Sequence, residues 1–348
     1  MSSMNSRRRF QETMCYGNPD RVPWFEEGIR KEVLRVWRRQ DKRLFRDLSR
    51  MLPPDRREEI ELDLEPRLGF KSRPTTSNEL DILRRSLNPF QRGRLPIQRG
   101  RLSIQRGRLS IQRSRLPRNW SKNLHTWRER EHVLMLRVHR GFFLSMGVGD
   151  WRSFKGVMSS LIRDPAFVRE SMKIQGDFAA RLVDRVLQDL DVDAAVFSEP
   201  IGDNGGPLIS PRMYEEFVLK SYQPLLEVLS RHGVETIILR TFANVRLLIP
   251  SLLKWGFNCL WACEVNIGAM DYRDLRREFG RDLRLIGGID LDALRKDKEA
   301  IREEMEGKVL PLIADGGYVP LADGRVRQDV PIENYLYYRK FLEKITQG

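Results

Sequence analysis

The chain has 348 residues, of which 41% are hydrophobic and 32% charged, and its formal net charge is +14. This length suits an α/β barrel, which commonly forms one domain of this size. No apolar stretch approaches the roughly 18 residues that span a bilayer, and the basic start MSSMNSRRRF lacks the apolar segment of a secretory signal. Three cysteines give no disulfide framework. We therefore expect a soluble, cytoplasmic protein that contacts no membrane.

The amino-terminal 130 residues carry weaker structural signals than the rest of the chain. Residues 21–24 are predicted as a first strand and residues 26–39 as a helix. Residues 91–118 form four heptapeptide copies, QRGRLPI, QRGRLSI, QRGRLSI and QRSRLPR, with nine arginines and no acid. Nine of the fourteen excess positive charges therefore lie in this insert, and the other 320 residues carry only +5.

The insert has two interpretations that differ in function. Its glycines and prolines oppose a helix, and its near-identical copies indicate a recent tandem duplication in a flexible surface loop. The alternative is an arginine-rich arm that binds a nucleic acid or another polyanion. Outside this insert, the charge gives no reason to expect a nucleic-acid partner.

From about residue 130 onward, short apolar runs alternate with longer amphipathic segments. Strands are predicted at residues 132–138, 194–198, 236–240, 258–262, 283–287 and 318–321. Helices are predicted at residues 142–162 (with a break near 147–150), 164–190, 210–231, 245–255, 272–279, 298–314 and 332–345. This alternation predicts a parallel sheet. The G-x-G-x-x-G turn of an open dinucleotide-binding sheet is absent, which favours a closed barrel over that alternative.

Five segments resemble the uroporphyrinogen decarboxylase superfamily in the expected order. They are RRRFQETMCYGNPDRVPW (residues 7–24), LISPRMYEEF (208–217), LIGGID (285–290), GGYVP (316–320) and DVPIENYLYYRKFL (329–342). The resemblance implies a (β/α)8 TIM barrel that forms a single domain over residues 1–348, with residues 91–118 as an insert. It also implies an enzyme, and a homodimer is common among its members.

The superfamily has two enzymatic branches, which share the fold and differ in their chemistry. One branch removes carboxyl groups from uroporphyrinogen without metal or cofactor; the other uses zinc to move methyl groups between a corrinoid protein and a thiol. The zinc enzymes carry His-x-Cys at the end of a central strand, where this chain has Arg240 and Phe242. Arginine stays protonated and cannot bind zinc. Cys259 and Cys263, which share one face of a predicted strand, are interpreted as buried thiols of the barrel wall.

Catalytic groups of an α/β barrel lie at the carboxyl ends of its strands. The residues at those positions are Glu199, Arg240, Asn244, Glu264, Asp290 and Asp323. We predict that Arg240 binds a substrate carboxylate, and that Asn244 and Asp290 also contact the substrate. Glu199, Glu264 and Asp323 are the catalytic candidates, because partial burial would raise a carboxyl pKa into the range of proton transfer. Each residue could instead form a salt bridge or, for Asp290, cap a helix.

The sequence therefore favours metal-independent decarboxylation or proton transfer on a carboxylated small molecule or a tetrapyrrole, with no cofactor. Two alternatives remain open. One is a corrinoid-dependent methyltransferase whose metal site has been rebuilt, with a corrinoid protein as its partner. The other is a non-catalytic barrel whose insert binds a polyanion.

Overall fold

The computed structural model describes residues 3–50, 54–68, 73–88, 90–91, 110–111, 115–263 and 268–347. The strands of these residues are β1 Arg57–Glu61, β2 Phe90–Gln91, β3 Ser110–Ile111, β4 Val133–His139, β5 Ala194–Ser198, β6 Gly202–Asp203, β7 Gly206–Pro207, β8 Ile237–Thr241, β9 Cys259–Ala262, β10 Arg284–Ile289 and β11 Tyr318–Ala322. Seven of these described strands form one parallel sheet in the order β1-β4-β5-β8-β9-β10-β11, and the other four form two separate pairs.

Helices connect the strands of the main sheet. The α-helices are α1 Ser6–Met14, α2 Lys31–Gln40, α3 Lys42–Arg50, α4 Leu80–Ser86, α5 Trp120–Arg128, α6 Phe142–Met146, α7 Trp151–Arg163, α8 Pro165–Leu187, α9 Pro211–Tyr214, α10 Lys220–Arg231, α11 Ile249–Lys254, α12 Tyr272–Phe279, α13 Leu291–Lys296, α14 Lys298–Glu304, α15 Leu310–Asp315 and α16 Ile332–Gln347. Single π-helical turns at Glu215–Leu219 and Met305–Val309 join α9 to α10 and α14 to α15.

The two faces of the sheet pack against different partners, because side chains alternate along a strand. One face, the inner face, contributes to a closed cluster with α1. Its members are Phe10, Met14, Phe25, Val133, Met135, Ala194, Val196, Ile238, Cys259, Trp261, Cys263, Ile286, Val319 and Leu321. The other face, the outer face, packs against the helices in a larger core that includes Leu134, Phe197 and Leu239. Since β4, β5, β8, β9, β10 and β11 share one inner cluster, the sheet curls around it.

Helix α1 lies across the amino-terminal end of this curled sheet. Asn5 caps it by accepting a hydrogen bond from the Arg8 backbone N–H, and Phe10 and Met14 enter the inner cluster. The Nε of Arg7 donates to Asp193, immediately before β5, at 2.7 Å. With this end covered, the carboxyl end is where polar side chains of the inner face can meet a ligand.

The amino-terminal region differs from the sequence predictions. Residues 21–24 are not a strand: the Trp24 backbone N–H and carbonyl bond to the side chain and backbone of Asp55 instead. The helix predicted at 26–39 begins at Lys31. An extended segment therefore precedes it, and Ile29 forms a parallel bridge with Val326 beyond β11.

The mixed α/β class and parallel sheet are confirmed, while closure into a complete barrel stays a prediction.

In the carboxyl-terminal two thirds, the predicted elements are confirmed with small shifts in their ends. Asp164 caps α8 by accepting from the Phe167 backbone N–H at 3.0 Å, with Pro165 as the first helical residue. Gly233 adopts a φ of +69° after α10, as a glycine that ends a helix should. Cys259 and Cys263 are buried, as predicted.

Most of the arginine-rich insert lies outside the described residues. At its beginning, Phe90–Gln91 pairs antiparallel with Ser110–Ile111. Its last copy contains Arg115, which is fully buried and donates to the carbonyls of Ser86 (2.7 Å) and Asp63 (3.2 Å). Arg115 therefore belongs to the core, whereas the division of the chain into one domain with an insert stays a prediction. No described helix is long and apolar enough to cross a membrane.

Candidate active site at the carboxyl end of the sheet

Three arginines and a glutamate meet on the inner face. On β1, Ile60 packs into the outer core, so Arg57 and Glu59 point to the inner face. The same alternation places Arg137 of β4 and Arg240 of β8 on that face. Arg57 and Arg240 both approach the Trp261 ring, with their Cζ atoms 4.8 Å and 5.3 Å from its centroid. We call Arg57, Arg137, Arg240 and Glu59 the inner arginine cluster.

Glu59 is held between two guanidinium groups. Arg240 donates through both terminal nitrogens to the two carboxylate oxygens, at 2.6 Å and 3.0 Å. Arg137 donates from Nε at 2.9 Å. The side chains of Glu59 and Arg240 are only 14% and 13% exposed. Burial alone would raise the pKa of Glu59, but Arg240 and then Arg137 outweigh it and hold that pKa below its usual value.

Arg57 forms the second charged position of the cluster. Its guanidinium donates to Glu27 at 2.9 Å and to the Glu26 carbonyl at 3.2 Å. The Cζ atom of Arg57 also lies 5.5 Å from the centroid of the Phe25 ring, so the cation is flanked by two aromatic rings. Its buried Nε has no hydrogen-bond partner among the described residues. Within that part of the chain, the site thus retains a buried guanidinium N–H that donates to no acceptor.

A thiol and an acid border the cluster at the ends of β9 and β11. Burial, together with the charges of Glu27 and Asp323, raises the pKa of the Cys263 thiol well above its usual value, although Arg240 and Arg57 oppose this shift. Cys263 is therefore a neutral thiol at physiological pH. Leu321 belongs to the inner cluster and Ala322 to the outer core, so the alternation directs Asp323 to the inner side.

Glu199 lies on the opposite side of the sheet. Val196 faces the inner cluster and Phe197 the outer core, and Glu199 continues the outward alternation with 0% of its surface exposed. Its carboxyl accepts from the Phe142 backbone N–H at 2.8 Å and from the hydroxyls of Tyr222 at 2.7 Å and Tyr214 at 3.3 Å. Burial raises its pKa to about 7, against these hydrogen bonds. Glu199 therefore has the raised pKa that the sequence predicted for a catalytic carboxyl, but its side chain does not face the inner arginine cluster.

The remaining candidates have other local roles or lie outside the described residues. The Asn244 amide donates to the Ala269 carbonyl at 2.9 Å and holds a loop together. Asp290 caps α13 by accepting from the Asp292 backbone N–H at 2.8 Å, which is the structural alternative that the sequence left open. Glu264 falls in residues 264–267, outside the described part of the chain. Of the six candidates, the structure assembles Arg240 and Asp323 around one site.

The residues at the position of a zinc His-x-Cys do not suit a metal. Arg240 is paired with Glu59, and Phe242 is 50% exposed. Neither side chain can donate a lone pair to zinc. Among the described residues, no three His, Cys, Asp or Glu side chains converge in a way that could hold a metal ion.

The sequence did not reveal Glu59 and Arg57 because their strand, REEIE, has only one buried apolar residue. Four of its five residues are charged, so polar and apolar residues do not alternate along it. A signal was present on the neighbouring strand, where Arg137 interrupts the apolar run VLMLRVH.

Comparison with known proteins agrees with the resemblance noted above. The family described as uroporphyrinogen decarboxylase (URO-D) matches residues 144–341, which is more than half of the chain. No curated protein matches the sequence. Among solved structures, a proposed vitamin-B12-independent methionine synthase from Listeria monocytogenes aligns with 11% identity and a TM-score of 0.37, covering 64% of this chain and 68% of its own. A likeness this distant carries no information about function.

Proposed function

Because the chain belongs to the uroporphyrinogen decarboxylase family, we propose that it is an enzyme that binds a carboxylated small molecule or a tetrapyrrole at the inner arginine cluster. The reaction that we favour is decarboxylation, with proton transfer and no metal. The observation that supports it most directly is the two-pronged contact between Arg240 and Glu59.

Arg240 already has the geometry of a carboxylate-binding group. A guanidinium that donates two parallel hydrogen bonds to one carboxylate gives strong and oriented binding. The Glu59 carboxylate occupies this fork, so it marks where a carboxylate fits. Arg137 offers a second guanidinium at the same point. Partial burial strengthens the attraction of both guanidinium groups for a carboxylate, relative to bulk water. A substrate carboxylate would enter this arrangement by sharing or displacing Glu59.

The carboxylate held by Arg240 would be one that the substrate retains. Decarboxylation breaks the bond between the carboxyl carbon and its neighbour, so CO2 leaves and the electron pair stays on the neighbouring carbon. Ion pairing of the departing carboxylate would stabilise the ground state more than the transition state. We therefore assign Arg240 and Arg137 to substrate orientation, and expect a substrate with at least two carboxylates.

The carbon that keeps the electron pair must then take up a proton. Asp323 lies on the inner side of the sheet and close enough to Cys263 to raise the pKa of that thiol. This position makes Asp323 the candidate acid among the described carboxyl groups that were predicted from sequence. Glu199, whose carboxyl lies behind the sheet, is left out of this role.

The test is a binding titration of the purified full-length protein with succinate, coproporphyrinogen and uroporphyrinogen, with and without zinc, alongside measurement of released CO2. We expect saturable binding without zinc. Arg240→Ala should weaken it about 10- to 100-fold, since a hydrogen bond to a charged group is worth roughly 1.5–3 kcal/mol. Arg169→Ala, which breaks the surface pair of Arg169 and Glu216, is the matched control and should leave binding unchanged.

Two results would contradict the proposal. Unchanged affinity in Arg240→Ala would remove this residue from the site. Binding that requires zinc, or that occurs with methylcobalamin and with no carboxylate, would favour the methyl-transfer branch instead.

A further inference from the structure

Glu199 joins three segments at the carboxyl end of the sheet. Its side chain accepts from the Phe142 backbone N–H, at the start of α6, and from Tyr214 and Tyr222 on either side of the π-helical turn. Gly141 leaves room for this carboxyl, because a Cβ atom there would lie 2.8 Å from Glu199 Oε1 and 2.5 Å from the Ser198 carbonyl oxygen. The loop after β4, the end of β5 and helix α10 therefore meet at one carboxyl group.

The backbone of Glu199 is bonded to the segment that carries Arg240. Its N–H donates to the Arg240 carbonyl at 2.7 Å. Its own carbonyl accepts from the Thr241 hydroxyl at 2.8 Å, and that hydroxyl accepts from the Ala243 backbone N–H at 3.1 Å. The guanidinium of Arg240 points into the inner cluster, while its main chain is fixed from behind by Glu199. Two hydrogen bonds therefore join the backbone of Glu199 to the end of β8.

The side chains that contact the Glu199 carboxyl are neutral at physiological pH, and the charge of Arg140 acts on His139 in the same layer. Burial, with the charge of Glu199, raises the pKa of Tyr214 and of Tyr222 well above the usual value. The imidazole of His139 packs 4.4 Å from the Tyr222 ring, measured between centroids, and burial lowers its pKa to about 3. Among the described residues, no charged side chain contributes to the Glu199 pKa. Glu199 is then the group of this layer that gains or loses a proton near neutral pH.

We propose that Glu199 is a positioning residue that sets the place of Arg240 from the outer face of the sheet, and that its protonation state alters that place. The physical reason is that the Glu199 carboxyl accepts a different number of hydrogen bonds in its two protonation states. The ionised carboxylate accepts from the Phe142 N–H and both phenols. The protonated carboxyl carries its own hydrogen, so one phenol must turn away or accept instead of donating. That rearrangement shifts the contacts of α10 and the end of β8. The inference depends on the proposed function only for its effect on substrate binding.

The experiment follows Arg240 directly, by the nuclear magnetic resonance signal of its Nε–H group in the full-length protein, assigned with Arg240→Lys. In the wild type we expect this signal to shift between pH 5.5 and 8.5, a range centred on the pKa of about 7 for Glu199. Glu199→Gln has the shape of the protonated carboxyl, so its signal should stay at the low-pH position. Glu216→Gln, at a surface pair, is the matched control and should titrate as the wild type does.

A second arm uses succinate as the probe. Glu199→Ala should weaken its binding about 10-fold, because it removes the carboxyl that ties the Phe142 N–H and both phenols to the end of β5, and Glu199→Gln should restore most of the affinity. The inference is wrong if the Arg240 signal titrates equally in Glu199→Gln, or if Glu199→Ala binds succinate as the wild type does. If the wild type binds no carboxylate at all, the proposed function fails, and the signal of Arg240 still decides this inference.

Discussion

A partly buried and a fully buried glutamate lie near the same end of the sheet, and their pKa values shift in opposite directions. Glu59 faces the inner side between Arg240 and Arg137, and its pKa is held below the usual value. Glu199 faces the outer side among neutral donors, and burial raises its pKa to about 7. Removal from water penalises both carboxylates, and only Glu59 has a counter-charge to offset it. The counter-charge on each face, rather than burial itself, therefore sets the direction in which each glutamate's pKa shifts.

The largest effect is expected at Glu59. Glu59→Gln leaves two partly buried guanidinium groups side by side without their carboxylate, and removing one partner of a buried ion pair costs about 3–5 kcal/mol. Urea unfolding at pH 6 measures this loss in the free energy of unfolding. Glu216→Gln, at the surface pair with Arg169, should cost less than about 1 kcal/mol. Equal losses in the two variants would show that Glu59 gains nothing from its partners.

Glu59 should also control the acid limb of the stability profile. Its folded-state pKa is lowered, so its contribution to stability is present above the unfolded pKa and is lost as pH falls through the folded value. We expect the unfolding free energy of the wild type to decrease below about pH 4.5, and this decrease to be smaller in Glu59→Gln. An unchanged acid limb in that variant would assign the decrease to other carboxylates.

Glu199 should make the free energy of unfolding depend on pH in the opposite direction. Its folded-state pKa is raised from 4.5 to about 7, so the folded protein holds the proton more tightly than the unfolded chain does. Stability contributed by the protonated form is complete below pH 4.5 and is lost as pH rises through 7. The loss amounts to about 3 kcal/mol.

Urea unfolding between pH 4.5 and 8 measures this slope. Glu199→Gln should flatten it, since the amide does not titrate, and should leave the acid limb of Glu59 intact. A slope that survives the substitution would place the titrating group elsewhere and would remove the contrast between the two glutamates.

The two faces of the sheet also explain which residues of this site could be predicted from the sequence. Arg240 was found because its strand is an apolar run whose polar end is visible, and the apolar strands and capped helices after residue 130 were found for the same reason. Glu59 was missed because its strand consists almost entirely of charged residues. Such a segment is recognised as a strand only from its pairing with β4. Glu199 was placed at the right strand end, but the sequence did not show which face it points to.

The smallest expected effect separates the two phenols that donate to Glu199. Tyr222→Phe removes the 2.7 Å donor and keeps the ring that packs on His139. The charged carboxylate then lacks one hydrogen-bond donor, which should cost about 2 kcal/mol at pH 8 and about 1 kcal/mol at pH 5, where the carboxyl is neutral. The contact from Tyr214 is longer, at 3.3 Å, so Tyr214→Phe should cost under about 1 kcal/mol at either pH. Urea unfolding of both variants at the two pH values checks this order. If Tyr222→Phe showed no difference between pH 5 and pH 8, its hydroxyl would not be sensing the charge of Glu199, and the outer-face glutamate would be neutral throughout.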